Sequence, residues 1–325
     1  MAYSESVLRR ARERLELARS EAQDESERRI RGIYQDYPRL REIDLAMKAT
    51  VAEAVAAAFR TGEDPTAAVE DARKKNLALQ EERSWLLQAN DLEEADLEPD
   101  TFCPHCGGRG YVGEAMCECL RELCRQEQKK ELSSLLGGRE NFDGFRLDYY
   151  PEEYDENIGA SPRMVMERVF RRCRQYAREF SVQSPSLLFT GATGLGKTFL
   201  SACIARTAAE SGHSVVYDTA MTLFADFEAA KFGGEEAEKA QTAKYLACDL
   251  LIIDDLGTEM TTQFTQSALY NVVNTRLVRR LPTIISTNLT TRELQSRYLQ
   301  QTASRLLGAY ERMTFVGRDI RLLKK

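Results

Sequence analysis

The first hundred residues carry the apolar spacing of long, charged helices. Residues separated alternately by three and four positions form one seam, and Arg and Glu fill the other faces. The seam consists of Leu8, Ala11, Leu15, Ala18 and Ala22. Because it is rich in alanine and short of leucine, it favours a thin antiparallel bundle or a coiled coil that needs a partner. A solvated helical spacer fits the same pattern equally well.

Two further helices are predicted before residue 98. Pro38 opens the first of them, because its fixed φ suits the first turn of a helix. The apolar side of this helix is formed by Leu40, Ile43, Met47, Val51, Ala54 and Ala58. Asp64 is expected to cap the next helix, with Pro65 at its first position. The sequence therefore predicts an all-helical region over residues 1–98.

Helices and strands alternate from about residue 164 onward, which predicts an α/β fold with a parallel sheet and helices on both faces. A segment of residues 125–163 leads into this region. It contains an aromatic cluster near a glycine and a proline, so we expect an ordered strap that packs on a neighbouring surface. The cluster consists of Phe142, Phe145, Tyr149 and Tyr150.

Composition limits the classes of protein that fit. At 325 residues with 43% hydrophobic residues, the chain is long enough for two domains with a buried core. It has no apolar run long enough to span a bilayer, and its first residues lack the apolar stretch of a signal peptide. A cytoplasmic location without membrane contact is expected. The net charge of −6 means that any contact with DNA must come from a local basic patch.

Residues 191–198 have the G-x-x-x-x-G-K-[ST] spacing of a phosphate-binding loop. Residues 186–190 before it predict a buried strand, and residues 199–209 after it predict a helix. Glycines allow successive N–H groups to point at one anion, and the helix aims its N-terminus at the same point. Lys197 adds a positive charge for the β- and γ-phosphates, and the Thr198 hydroxyl can hold Mg²⁺. A glycine-rich turn without a ligand explains the glycines but not Lys197 and Thr198.

Two carboxylates follow a second apolar strand. Residues 249–253 predict a buried parallel strand, which delivers Asp254 and Asp255 at its C-terminal edge, beside the phosphate loop. Asp254 is expected to support Mg²⁺ directly or through water, and Asp255 to polarise the attacking water as a general base. A further strand over residues 282–286 leads to Asn288, which either touches the γ-phosphate or only ends the strand.

Arginines later in the chain are candidates for phosphate contacts. Arg305 or Arg321 would stabilise charge on a transferring phosphoryl group if it entered a neighbouring site, but either fits an ordinary surface position. Two basic clusters could contact DNA phosphates or form solvated helix faces. They are Arg276, Arg279 and Arg280, and Arg168, Arg171, Arg172, Arg174 and Arg178.

Four cysteines lie close together within residues 101–124, a region that differs from both neighbours. They are Cys103, Cys106, Cys117 and Cys119. Four thiolates in tetrahedral geometry would close a structural zinc site, which stabilises a fold too small for its own core. The second pair is C-x-C and not C-x-x-C, so Cys124 or His105 could replace one ligand. Free thiols are the alternative.

These elements together resemble AAA+ ATPases, and within them the DnaC/DnaI-like bacterial helicase loaders. Gly191–Thr198 resembles Walker A, and Leu250–Asp255 resembles Walker B. Residues 286–288 are similar to sensor 1, residues 304–306 to the arginine-finger motif, and residues 315–321 to the closing segment of the family. The resemblance covers about residues 140–325. The cysteine element and the aromatic strap are similar to the DnaI-like branch.

The resemblance implies a P-loop AAA+ domain over residues 164–325 without a separate C-terminal helical lid. Its hydrolytic residues would be Lys197, Asp254, Asp255, Asn288 and Arg305, with Thr198 and Asp254 on Mg²⁺. Its ATP contacts would be Gly191, Ala192, Thr193, Gly194, Leu195, Gly196, Lys197, Thr198, Phe199 and Arg321. Expected cofactors are ATP, Mg²⁺ and Zn²⁺.

A helicase loader is the function that the resemblance implies. It would bind a hexameric replicative helicase through its N-terminal part and deliver it to single-stranded DNA, with ATP hydrolysis driving reset or release. Arg305 acting across a subunit boundary would make hydrolysis depend on a homo-oligomer. Two alternatives stay open: an IstB-like transposition helper that acts on a transposase and target DNA, and a non-catalytic adaptor that uses ATP only as a clamp.

Overall fold

The structure of the protein is a computed structural model that describes residues 3–58, 66–137, 140–233 and 242–323. The chain divides into two compact units. Arg14–Cys117 forms one, and Met1–Glu13 with Glu118–Lys325 forms the other. The four regions predicted from the sequence have different bounds, and they stay a prediction.

Three long helices make up most of the first ninety residues, as the apolar spacing predicts. They are α1 (Glu5–Asp36), α2 (Pro38–Ala58) and α3 (Thr66–Ala89). Pro38 starts α2, as expected, whereas the cap predicted at Asp64 and Pro65 lies outside the described residues. α2 packs against α3, and a short 3₁₀ helix follows at Glu94–Leu97. The buried members of the small apolar cluster here are Leu40, Leu87 and Leu97.

The apolar side predicted for α2 is wrong at Val51. The Val51 side chain is 57% exposed, while the neighbouring Thr50 is only 8% exposed. The reason is a polar contact across the helix pair, in which the Asn76 side-chain amide donates to Thr50 Oγ1 at 2.7 Å. This hydrogen bond satisfies the buried hydroxyl, so the packed side of α2 shifts by one position.

A two-stranded hairpin and a helix connect the N-terminal helices to the sheet. The hairpin pairs β1 (Tyr111–Val112) with β2 (Ala115–Met116) in antiparallel fashion. Helix α4 (Glu118–Leu136) follows. The Gln128 side chain on α4 accepts from the backbone N–H of Val215 at 2.9 Å and donates to the carbonyl of His213 at 2.9 Å. This double contact fixes α4 to the edge of the large sheet.

The large sheet has five parallel strands in the order β4-β5-β6-β3-β7. The strands are β3 (Leu187–Thr190), β4 (Val215–Thr219), β5 (Leu250–Leu256), β6 (Thr283–Thr287) and β7 (Glu311–Thr314). Because sheet side chains alternate, Leu187 and Phe189 pack into one apolar core while Leu188 packs into a second core on the opposite face. The predicted sheet covered on both faces is confirmed.

Six helices bounded in the structure accompany this sheet. They are α5 (Pro162–Arg178), α6 (Lys197–Glu210), α7 (Ala220–Gly233), α8 (Gln263–Val278), α9 (Thr291–Arg297) and α10 (Gln300–Gly308). Residues 242–247 are also helical. After β7, the described residues include a 3₁₀ helix at Ile320–Leu322. No helix in the described ranges is both long and apolar enough to cross a membrane.

Candidate functional site

The phosphate loop joins the C-terminal end of β3 to the start of α6. Gly194 and Gly196 adopt left-handed backbone with φ of 75° and 89°, and Lys197 is the first residue of the helix. Side chains other than glycine adopt this backbone only at a cost in free energy, which explains the residue type at both positions. The N-terminus of α6 therefore opens toward the loop, as an anion site requires.

Lys197 is held inside the loop. Its side chain is 5% exposed, and its Nζ donates to the carbonyls of Gly191 and Ala192 at 2.8 Å each. Burial lowers the pKa of Lys197, while the nearby carboxylates of Asp255 and Asp254 act in the opposite direction. The ammonium group thus interacts electrostatically with both carboxylates, while two of its three N–H donors bind carbonyl groups of the loop.

A cleft of about 440 Å³ opens above the phosphate loop. Nine of the residues expected to act at a nucleotide line it: Thr193, Gly194, Leu195, Gly196, Lys197, Thr198, Phe199, Asp255 and Arg321. Gly191, Ala192, Asp254, Asn288 and Arg305 are not among its lining residues. The aromatic strap adds Phe145, Arg146 and Tyr149 to the lining. The cleft therefore combines charged groups with aromatic rings.

Asp254 is buried behind the cleft with both carboxylate oxygens engaged. Its side chain is 4% exposed. Tyr217 on β4 donates its hydroxyl to Asp254 Oδ2 at 2.9 Å, and Ser286 on β6 donates to Oδ1. Two neighbouring strands thus fix the orientation of this carboxylate. Its role on Mg²⁺ stays a prediction.

Asp255 differs from Asp254 in exposure and in backbone. It lines the cleft, and its φ of 54° lies in the left-handed region, which Asp tolerates better than most residues. Burial and the charge of Asp254 raise the pKa of Asp255, while Lys197 and Arg321 lower it. A carboxylate with a raised pKa in a cleft suits a general base, which stays a prediction.

Asn288 and Arg305 lie apart from the cleft. Asn288 is exposed just after β6, where the strand ends. The Arg305 guanidinium lies over the Tyr270 ring at 5.1 Å and donates to the Gln301 carbonyl at 3.2 Å. Neither residue is among those that line the cleft, and their predicted roles stay predictions.

A DNA contact by Arg276 is excluded, and so is a solvated position. Its side chain is fully buried in the core. The guanidinium donates to Thr283 Oγ1 at 2.9 Å and to the carbonyls of Tyr245, Cys248 and Pro282 at 2.7–3.0 Å. Arg276 therefore ties the starts of two strands to a helix. Arg279 and Arg280 of the same predicted cluster are exposed.

The aromatic strap packs directly on the phosphate loop. Tyr150 is fully buried, and its hydroxyl donates to the Leu195 carbonyl at 2.9 Å. The Phe145 ring stacks on Phe170 with a centroid distance of 5.1 Å. A Cβ added at Gly196 would lie 3.2 Å from the Tyr150 hydroxyl and 3.3 Å from the Phe145 ring. The predicted ordered strap is confirmed, and the surface it covers is the loop.

The closing segment after β7 also touches the loop. The backbone N–H of Ile320 donates to the Gly194 carbonyl at 3.0 Å, and Asp319 Oδ1 accepts from the Arg321 backbone at 2.9 Å. A Cβ added at Gly194 would lie 1.8 Å from Asp319 Oδ1. This contact brings Arg321 to the cleft, where it was expected.

The four predicted cysteines lie together. The sulfurs of Cys103, Cys106, Cys117 and Cys119 are all within 4.8 Å of one another. The Cys103 and Cys117 sulfurs are 3.8 Å apart, the separation that zinc–sulfur bonds of about 2.3 Å give at tetrahedral angles. The group of sulfurs includes neither Cys124, which is buried elsewhere on α4, nor the exposed His105. The donor set fits zinc, and both alternative ligands are excluded in this arrangement.

Local backbone explains how the first cysteine pair is directed. The Gly107 N–H donates to the Cys103 carbonyl at 2.8 Å, and the Gly110 N–H donates to Cys106 Sγ at 3.3 Å. Gly107 and Gly110 both have positive φ, at 59° and 78°. The turn therefore requires glycine to aim the two sulfurs at one point.

Three supporting residues were not assigned a role from the sequence: Tyr217, Ser286 and Tyr150. Each contacts a nucleotide-site residue that lies more than thirty positions away in the chain. Position in the sequence was the only indication: Ser286 lies in residues 286–288, which are similar to sensor 1, and Tyr150 lies in the aromatic strap.

Parts of the chain are similar to known proteins. Residues 154–309 match the family described as IstB-like ATP binding protein. The replicative helicase loader DnaC of Buchnera aphidicola from Acyrthosiphon pisum is 23% identical over 198 residues, 59% of this chain and 77% of that protein. DnaC of Escherichia coli K12 is 26% identical over 117 residues, 36% of this chain and 48% of that protein, so the match spans about half its length. A crystal structure of the DnaC helicase loader aligns with 55% of this chain and 97% of that chain, at 19% identity and a TM-score of 0.46.

Proposed function

We propose that the protein hydrolyses ATP to help load a hexameric replicative helicase onto single-stranded DNA. The proposed ATPase is the IstB-like ATP-binding domain of residues 154–309, which is distantly homologous to the DnaC helicase loaders. Hydrolysis resets or releases the complex. The observation that carries the loader assignment is the relation to DnaC proteins across this domain. At 23–26% identity it supports a related activity, and the experiments below test the activity itself.

The chemistry of the site supports ATP hydrolysis. Lys197 and the N-terminus of α6 would bind the phosphates, and Thr198 with Asp254 would hold a Mg²⁺ ion that supplies charge neutralisation. Asp255 accepts a proton from the attacking water. Burial of Asp254 beside the Lys197 ammonium, with both oxygens oriented by hydroxyl groups, suits a metal-supporting carboxylate.

Arg305 acts in the site of a neighbouring subunit in this proposal. It is absent from the cleft of its own chain and lies on the surface helix α10, stacked on Tyr270. An arginine delivered by a second copy stabilises charge on the transferring phosphoryl group, which makes turnover depend on assembly. Arg305→Ala should therefore lower turnover at high protein concentration without changing the affinity of one chain for ATP.

The helical N-terminal region binds the helicase in this proposal. Its helix α3 exposes Trp85, which is 66% accessible, and tryptophan is enriched among residues that dominate protein interfaces. Zinc held by the four cysteines stabilises the small hairpin element between this region and α4. Single-stranded DNA is the second partner.

A pull-down with the host replicative helicase tests the loader assignment. We expect the full-length chain to retain the helicase, and Trp85→Ala to weaken retention. Met260→Ala is the matched control, because Met260 is 85% exposed but lies in the ATP-binding unit. A variant truncated within the N-terminal helical region should keep the first residues, because Arg10 forms an ion pair with the buried Glu127 at 3.2 Å. No retention of helicase under any nucleotide condition would contradict the proposal.

An IstB-like transposition helper is the second candidate, and the family match at residues 154–309 favours it. Such a protein would retain a transposase and bind duplex DNA. Parallel pull-downs with helicase and with a transposase encoded near the same locus distinguish the two. A non-catalytic adaptor is tested by phosphate release with helicase and single-stranded DNA present, where Asp255→Asn should strongly lower turnover but leave a measurable residual activity.

A further inference from the structure

The strand that carries the two carboxylates is irregular at the point where they occur. On β5 and β6, Ile253 pairs with Ile285 and Leu256 pairs with Thr287. Between these pairs, β5 contains two residues, Asp254 and Asp255, while β6 contains only Ser286. One extra residue on one strand is a β-bulge, and bulges next to active sites change the direction in which side chains point.

The Ser286 hydroxyl occupies the position where the bulge leaves the strands without regular pairing. Its oxygen accepts from the Asp255 backbone N–H at 3.0 Å and donates to Asp254 Oδ1. Ser286 is fully buried, so water does not replace either contact. One hydroxyl therefore satisfies the backbone of one carboxylate residue and orients the side chain of the other.

The bulge also explains how neighbouring carboxylates serve one site. In a regular strand, Asp254 and Asp255 would point to opposite faces of the sheet. Here Asp255 has φ of 54°, and its side chain lines the cleft, while Asp254 stays buried behind it. Both carboxylates lie close enough to Lys197 to affect its pKa. The left-handed conformation costs free energy, so a neighbouring group must hold it.

We infer that Ser286 is a positioning residue for hydrolysis, because it holds the bulge that orients both carboxylates. Tyr217 assists at Asp254 alone, through its single hydrogen bond of 2.9 Å to Oδ2. This inference rests on the proposed ATPase function. It assigns to the buried hydroxyl on β6 a role separate from that of Asn288, which lies two residues later at the exposed strand end.

Removing the hydroxyl should affect metal use and turnover more than nucleotide binding. Residues that orient a metal ligand typically change metal affinity or activity by about 10–100-fold when they are removed. Ser286→Ala should raise the Mg²⁺ concentration needed for half-maximal binding of a non-hydrolysable ATP analogue by roughly this factor and lower kcat similarly. Affinity for ATP measured in EDTA should stay unchanged. Tyr217→Phe should raise the Mg²⁺ requirement with a smaller effect on kcat.

Ser201→Ala is the matched control. Ser201 is also fully buried, and its hydroxyl has no hydrogen-bond partner among the described residues, so the same atom is removed without loss of a contact. Thermal unfolding of both variants monitors folding. In the Asp255→Asn background, Ser286→Ala should lower kcat little further, since residues that act as a unit are not additive.

The outcomes separate this inference from the proposed function. If Ser286→Ala matches Ser201→Ala in Mg²⁺ requirement and kcat, the positioning role is wrong while the ATPase stands. A second outcome is that the Mg²⁺ requirement shifts as expected, but the wild-type chain never hydrolyses ATP in the presence of helicase and single-stranded DNA. That result would support the positioning of Asp254 by Ser286 and contradict the proposed ATPase function. A wild-type chain that binds no ATP overturns both.

Discussion

Gly194→Ala separates two costs that meet at the phosphate loop. Gly194 has φ of 75°, and alanine in this backbone costs about 1–2 kcal/mol. An added Cβ would also lie 1.8 Å from Oδ1 and 2.2 Å from Cγ of Asp319, distances at which one group must move. The closing segment that carries Arg321 should therefore be displaced from the loop, in addition to the backbone cost.

Gly159→Ala measures the cost of the left-handed backbone alone. Its φ is 73°, almost the same, and a Cβ there would have no described atom within 4 Å. A loss of 1 kcal/mol in a unit of this size lowers Tm by about 2–4 °C, so the control should lose about 2–8 °C. Gly194→Ala should lose more, and only this variant should weaken ATP binding.

Thermal unfolding with and without Mg-ATP, together with titration of a fluorescent ATP analogue, measures both effects. Adding Asp319→Ala to Gly194→Ala removes the clashing atoms and should restore part of the lost affinity, while the backbone cost remains. If Gly194→Ala equals Gly159→Ala in Tm and in ATP affinity, the contact between the closing segment and the loop has no energetic role, and the reasoning is refuted.

Three further predictions concern zinc, the buried arginine and pH. Purified protein should contain about one zinc per chain, and Cys103→Ser should lose it; folded wild-type protein without metal would refute the site. Arg276→Met leaves several buried acceptors without their donor, and each should lower the free energy of unfolding by about 1–3 kcal/mol. Arg279→Met, at an exposed site, should change it by no more than about 0.5 kcal/mol. Chemical denaturation measures both changes. As the general base, Asp255 must be ionised, so turnover should fall as the pH drops through its raised pKa. Arg321 lowers that pKa, so Arg321→Ala should move the acid limb of the kcat–pH profile to higher pH. An acid limb that does not move would contradict the assignment of Asp255.

The parts of the site that local sequence determines were predictable. The phosphate loop follows from glycines at fixed spacing between an apolar strand and a helix, and the cysteine cluster follows from pairs joined by a glycine turn. The alternation of helices and strands from about residue 164 also predicted a parallel sheet with helices on both faces. Each of these features depends on residues near one another in the chain.

The remaining features depend on contacts between distant residues. Helical spacing on α8 does not reveal that Arg276 turns inward, because three carbonyl groups from two other segments, residues 245–248 and Pro282, satisfy it. Likewise, nothing in residues 282–288 indicates that Ser286 rather than Asn288 contacts Asp254, since this depends on a one-residue bulge in the neighbouring strand. Val51 was placed wrongly because the hydrogen bond between Thr50 and Asn76 outweighs the apolar period.

Loading of the host helicase onto a closed circle of single-stranded DNA tests the central claim most directly. A circle offers no end for threading, so unwinding of an annealed strand reports loading. We predict that wild-type protein with ATP stimulates unwinding by the helicase, and that Lys197→Ala, which lacks the phosphate-binding ammonium, does not. Unwinding that is unchanged by the protein, or stimulated equally by Lys197→Ala, would contradict ATP-dependent helicase loading.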